Sequence, residues 1–562
     1  MKAMTGQHQN EKTICMDKFV VKDRKFNRRN LKFAAVGGFL YGFSIFMGRI
    51  LLRGEWFYLY FTQWKSFVYL LASSAIFGLI PFIIFFFTVL VIRNIAIHTD
   101  DTVRPKRKYF HGWYWMECTI FLVAYIPCFV AFDHGIISYD ASSVIAQAAG
   151  KETKTNFQPY FHTLIWQAFY VLEKKTGIPG LAITAYSIVQ WAFIVTVFVF
   201  IMKIGRDKLG SGKPESAFSF LFYALNPVIV LFTFVLTKDI YFGGCFALYS
   251  LLLTCLITSD VRSGYRWFRL ICLMTIMGLF GSLFRNNFIY VIAGMLMVGA
   301  VGWMKVRKNS TYKAIALSST LIIIFYGIII GPVYSAAGVA PSPSREAMSV
   351  PLSQIGAVYR IRAEELTSEE KKNVLRYMPS VNDYDPMNAD KVKNTFNQEY
   401  YNAHKKQFWK LYLALLKKYP GDYCDAFLFL HLPYVYPDLN IVPYIETGGF
   451  IDPDYPIEKK NLLPSVKEFY EDAASNDEGF KSIYCIRVLF SLHWPFWILI
   501  VCIACVLLGR QYRLFLALMP SIGLWGTYLL GPLCNYRYIY PLVILYPLYF
   551  GLARYSLGNV RK

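Results

Sequence analysis

The chain of 562 residues is 56% hydrophobic and 18% aromatic, and only 17% of it is charged. A soluble globular domain carries roughly 45–50% apolar and about 25% charged residues, so this composition excludes an ordinary soluble protein. The formal charge of +22 would suggest a nucleic-acid partner on a soluble fold, but here Lys and Arg sit in short loops between apolar runs. The positive-inside bias accounts for them there, and no nucleic acid is expected.

Taken in chain order, residues 1–31 form a basic arm whose end reads "DKFVVKDRKFNRRNLK" and which is expected in the cytoplasm. Residues 32–108 hold two spans, near 32–52 and 67–92, followed by the basic loop "RNIAIHTDDTVRPKRKYFHG". Residues 109–333 carry spans near 113–132, 178–204, 215–236, 239–258, 268–284, 287–304 and 313–332. Their first outer loop runs over 133–177. Within it "PYFHTLIWQAFYVL" is apolar but too short for a bilayer core, which needs about 20 residues. It is expected to lie at the outer interface or re-enter from it, with Trp166 and Tyr170 as anchors.

Residues 334–488 are far more polar and too long for a connector, so they predict a folded extracytoplasmic region. Asn394 to Tyr419 in this region has helical periodicity with basic and aromatic residues mixed, which suits either a membrane-surface helix or an ordinary amphipathic core helix. Spans near 489–508, 512–531 and 536–553 close the chain. About twelve transmembrane helices result, an all-α polytopic protein with an outward-facing mixed region between late spans. Every second loop is basic, which puts both termini in the cytoplasm and the protein in the plasma membrane. The eleven cysteines are scattered and show neither a CxxC pair nor a zinc pattern.

Polar groups gather on the predicted outer side. "DHGIISYDASSVIAQ" places Asp133 and Asp140 just after a span. "LTKDIYF" places Lys238 and Asp239 at a span junction, and "SLFRNNFIY" places Arg285, Asn286 and Asn287 in a short turn. "GPLCNYRYIYP" places Asn535, Arg537 and Tyr538 in another. Lys and Arg at one span end can simply snorkel to headgroups, but arginines at outer ends run against the usual bias. Together, cations that clamp a phosphate, amides that bond sugar hydroxyls and a carboxylate that accepts a proton describe sugar transfer from a lipid-linked phosphate donor. No P-loop or GxGxxG motif is present to bind ATP or a dinucleotide.

The motifs "GIISYDASSVIAQ", "FQPYFHTLIWQ", "TKD", "FRNN", "KYPGDYCDAF" and "NYRYIYP" give the chain, from about Tyr109 onward, a resemblance to the GT-C superfamily of integral-membrane glycosyltransferases, nearest to a bacterial branch of it. The two N-terminal spans look like an addition. The resemblance implies a polyprenyl-phosphate-linked sugar as donor and an extracytoplasmic acceptor in the cell envelope. It also implies an acidic catalytic residue in the first outer loop. Members often carry "DE" or "DxD" there. This loop has neither, only Asp133 and Asp140 seven apart, which leaves the base and the use of a divalent metal open.

Asp140 is the first choice as catalytic base and Asp133 the second. Asp140 also precedes a short helical stretch that it could cap. Arg285, Arg537 and Lys238 are expected at the donor phosphate. His162, Asp239, Asn286, Asn287 and Tyr538 are expected at the substrate, although a lone His is also a common structural residue. Glu117, inside a span, is expected to be structural, and no residue set is assigned to a metal. A single displacement would invert the anomeric carbon. The alternatives are a lipid or glycan transporter or flippase, and a non-catalytic envelope assembly protein.

Overall fold

The computed structural model describes residues 24–100, 111–133, 135–138, 140–259, 263–306, 309–437, 462–474 and 491–558. Most of the basic arm, the basic loop over 101–110 and much of 438–490 lie outside the described residues, as do the last four of the basic C-terminal tail. Among the described residues the protein is helical, with isolated β-bridges and no strand.

The N-terminal helices are α1 (Arg24–Leu52), α2 (Trp64–Phe77) and α3 (Leu79–Asp100). The next group is α4 (His111–Ala131), α5 (Ala141–Ala148), α6 (Tyr160–Thr176), α7 (Leu181–Leu209), α8 (Lys213–Leu225), α9 (Pro227–Thr233), α10 (Lys238–Thr258), α11 (Gly264–Phe284), α12 (Phe288–Lys305) and α13 (Ser310–Ile328). After them come α14 (Ser349–Ile361), α15 (Ser368–Tyr377), α16 (Lys405–Lys418), α17 (Pro420–Leu430) and α18 (Pro464–Ala474). The chain closes with α19 (Trp494–Leu508), α20 (Phe515–Tyr528), α21 (Tyr536–Val543) and α22 (Tyr546–Gly558).

Eight helices among the described residues are long and apolar enough to cross a membrane, nine if the bent pair α8–α9 is one span. The chain is a polytopic membrane protein. The expected twelve spans differ from this count for identifiable reasons. The span expected at 215–236 bends by 56°, because Pro227 cannot continue the α8 ladder and Asn226 caps a new helix by accepting from Val228 N and Ile229 N. The span expected at 67–92 breaks at Gly78 and is counted through α3 alone, whereas the one expected at 536–553 breaks between α21 and α22 and is not counted. At the C-terminal end α19 has 15 residues and α20 has 14; 15 residues rise only about 22 Å against a bilayer core of about 30 Å.

Helix α10 is the axis of the bundle. It is apolar all round, as a helix buried on every side should be, and it packs against α7, α11, α20 and α21. A second core belongs to the region after α13, where Leu352, Val358, Val374, Phe408 and Leu415 are buried together. The described part of that region is helical rather than mixed. Of the two readings of Asn394 to Tyr419, α16 takes the core one, with Phe408 and Leu415 as its buried side. Trp166, expected as an interfacial anchor, is instead buried and stacked 4.3 Å from Tyr186, because α6 packs directly on α5 and α7.

Contacts at three places help tie the second core to the bundle. Arg362 pairs with buried Asp422 at 2.9 Å and donates to Tyr58 Oη in the α1–α2 loop. Ala340 N donates to Lys154 O, and Ala389 N donates to Pro532 O, each at 2.8 Å. The N-terminal pair is held by backbone approach. A Cβ on Gly42 would lie 2.5 Å from Gly78 N and one on Gly38 2.8 Å from Gly78 O, so α1 crosses the α2–α3 break where only glycine fits. Gly42→Leu should therefore force the helices apart and destabilise the protein by about 2 kcal/mol or more, read as a lowered thermal unfolding midpoint in detergent.

Candidate active site

The first loop is registered against the start of α10 by a parallel bridge. Ile136 N donates to Phe234 O at 2.8 Å and Leu236 N to Ile136 O at 2.9 Å. Gly135 permits this: its φ is 106°, and a Cβ there would strike Ser187 Oγ. Three residues on from Leu236 stands Asp239 and, before it, Lys238, the first residue of α10. Thr237 caps that helix by accepting from Asp239 N. Arg537 is set in the first turn of α21 by Asn535, whose Oδ1 accepts from Arg537 N at 3.0 Å.

These segments meet at Asp140. Its Oδ2 accepts from Lys238 Nζ at 3.1 Å and from Arg537 Nη1 at 2.9 Å. Asp140 occupies the N-cap position of α5 but makes no capping bond; its carboxylate serves the two cations. Lys238 also donates to Gln158 Oε1. Arg285 Nη1 donates to Asp239 Oδ1 at 3.2 Å, and its guanidinium lies 4.7 Å from the Tyr538 ring. Arg537 lies 5.0 Å from the same ring and donates to Tyr538 Oη. Both arginines thus share one aromatic ring, a cation–π arrangement.

Exposure separates the two carboxylates. The Asp140 side chain is 31% exposed and that of Asp239 only 2%. Asp140 can be reached from outside, whereas Asp239 is sealed against Arg285 and neither pairs with Lys238 nor offers a surface to an acceptor. Three cations against two carboxylates leave the cluster with positive charge in excess. Burial raises the Asp140 pKa, but Lys238 and Arg537 outweigh it and hold the carboxyl well below the usual range.

Other expected site residues fall elsewhere. Asp133 stands at the end of α4 with φ of 22°; among the described ion pairs, Asp140 and Asp239 hold these cations, not Asp133. His162 is buried behind the site, its Nε2 2.6 Å from Tyr186 Oη. Burial, with Lys238 adding to it and Asp140 opposing, brings its pKa down to about 3, and the ring is neutral. Asn286 accepts from Tyr326 Oη and donates to Asn156 O, tying its turn to the first loop. Asn287 is exposed at the start of α12. Gln158 is the site residue that sequence reasoning passed over, although it sits inside the quoted "FQPYFH" run.

A divalent metal does not fit this donor set. Asp140 is committed to two cations, and among the described residues no three His, Cys, Asp or Glu converge. The donors it gathers, two guanidinium groups and an ammonium, are of the kind that bind anions.

A family model described as a family of unknown function, DUF6020, matches residues 147–556. The chain belongs to this family. The DUF6020 match takes in Gln158, His162, Lys238, Asp239, Arg285 and Arg537, and it begins seven residues after Asp140. No curated protein and no solved structure matches the chain.

Two measurements check this geometry. A His with a depressed folded pKa is neutral in the fold while the unfolded chain binds a proton below about pH 6.5, so stability falls as pH drops through that window. His162→Gln should flatten this acid limb by up to about 1.4 kcal/mol per pH unit, seen in unfolding midpoints between pH 4 and 7. Asp140→Asn leaves Lys238 and Arg537 facing one another, and should lower stability by about 1–2 kcal/mol after allowance for solvent. Added inorganic phosphate should restore more of the midpoint in this variant than it adds to the wild type.

Proposed function

We propose that this protein is a membrane glycosyltransferase that moves a sugar from a polyprenyl-phosphate donor to an extracytoplasmic acceptor of the cell envelope. In this reading it resides in the plasma membrane with both termini in the cytoplasm. The observation that supports it is the cluster in which an accessible carboxylate, Asp140, bridges Lys238 and Arg537 at the ends of apolar helices. A phosphate attached to a lipid tail reaches the same depth as the ends of membrane helices, and its charge suits the excess of cations.

The ion pairs also suggest how the site would act. A carboxylate held by two cations is a weak base at rest. A donor phosphate binding Lys238 and Arg537 competes for their charge and releases Asp140, whose proton affinity then rises. The freed carboxylate takes the proton of the attacking acceptor hydroxyl as the acceptor oxygen bonds to the anomeric carbon. The bond from that carbon to the phosphate oxygen breaks, and the electron pair leaves with the phosphate, where Lys238 and Arg537 stabilise it. With Asp140 the more accessible of the two carboxylates paired to these cations, the displacement is single and inverts the carbon. Arg285, neutralised by Asp239, holds Tyr538 and through it the Arg537 fork.

The test is to incubate purified protein with a panel of polyprenyl-phosphate sugars and measure donor consumption. Asp140→Asn should reduce turnover by about 10²–10⁴-fold with donor binding retained, the range for loss of a general base. Arg537→Lys should raise the donor KM more than it lowers kcat, because a point charge replaces a bidentate fork. Full transfer by Asp140→Asn would refute the assigned base. Lipid movement without donor cleavage would favour the transporter instead.

A further inference from the structure

An apolar groove lies away from Asp140, between the N-terminal helices and the end of the bundle. It has a volume of about 670 Å³ and is walled by α1, the α2–α3 pair, α19 and α22. Its lining on α2 and α3 runs from Ile76 to Ile92, about 24 Å of helical rise. Ile80 and Ile84 in this lining are strongly exposed, so the groove opens sideways, toward the bilayer.

The groove is a consequence of how the added helices are attached. Near one end of α1, Arg29 donates to Leu507 O and Leu508 O at the end of α19. Beyond the other end, the α1–α2 loop is held by Asp425, which accepts from Tyr58 N at 3.1 Å. Between these anchor points Tyr41 and Phe85 pack on Trp497, and beside that contact the groove stays open. Lining atoms that face an empty space lose the dispersion contacts a packed interior supplies. In a bilayer, hydrocarbon is the filler at hand.

The lining carries one cation, Arg49, in the last turn of α1 at one end of the groove. Its guanidinium lies 4.5 Å from the Phe77 ring, and among the described residues no carboxylate pairs with it. A guanidinium fork suits a phosphate, so the groove is built for an amphiphile with an anionic end and a long apolar body. A transmembrane helix from a second copy would bring an apolar face but no phosphate. Helices α1 to α3 precede the residues 147–556 matched by the family model, and Arg49 is not part of the Asp140 cluster, which argues for a resident lipid rather than a reacting one.

We propose that this groove is a binding site for a membrane glycerophospholipid, with an acyl chain along α3 and α22 and the phosphate against Arg49, and that the lipid cements the N-terminal helix pair to the bundle. The full-length protein, purified in mild detergent and washed, would be examined by native mass spectrometry and by identification of extracted lipid. About one glycerophospholipid should remain per chain. Arg49→Gln should weaken its retention by about tenfold, the scale of one charged hydrogen bond to phosphate. Ile84→Trp, which fills the groove at a lipid-facing position, should abolish retention without unfolding the chain. Several outcomes would overturn the proposal: an isoprenoid phosphate in place of the phospholipid, a second copy seated on this face, residues 438–461 covering the groove with no lipid bound, or equal lipid in all three proteins.

Discussion

The arrangement at the Asp140 end of the bundle depends on one carboxylate oxygen accepting from two cations. Lys238 and Arg537 are 98 and 397 residues from Asp140 in the chain. Two cations brought this close in a largely water-excluded site repel, and the cost of their burial falls only when a negative group stands between them. Asp140 supplies that group, and in doing so it stabilises the meeting of three chain segments.

The rest of the structure supports that junction. The bridge between Ile136 and Val235 sets the register of the loop, so Asp140 arrives beside Lys238 rather than a turn away. Asn535 and Thr237 hold the first turns of their helices, which directs Arg537 and Lys238. The second core touches the site's neighbours on two sides, at Lys154 and at Pro532, just before Asn535 and Arg537. At the far end of the bundle the ion pairs are of another kind. Glu117 receives both Nη groups of Arg206 at 2.6 and 2.8 Å, a closed bidentate pair with little exposure. It joins α4 to α7, as expected of a structural residue.

Much of this was legible in order but not in detail. Long apolar runs announce helices because a bilayer leaves the backbone no other way to satisfy its hydrogen bonds. The number of full spans was less legible, since Pro227, the break between α21 and α22 and the short α19 and α20 interrupt or shorten apolar stretches that hydropathy alone reads as continuous. Trp166 was misplaced because an aromatic at an interface and one stacked in a core have the same local sequence; its partner Tyr186 lies 20 residues on. His162 and Tyr538 stand out in the sequence, but only the fold shows that one is a buried neighbour of Tyr186 and the other a platform for two guanidinium groups.

The sequence by itself determined that this is a membrane protein of many helices and which charged residues stand at span ends, because hydropathy and the price of charge in lipid are local properties. Only the tertiary structure decided the pairing: that Asp140 meets both Lys238 and Arg537, and that Asp239 meets Arg285. Pairing depends on helix register and on the direction of side chains from distant segments. Neighbouring residues in the chain carry no record of either.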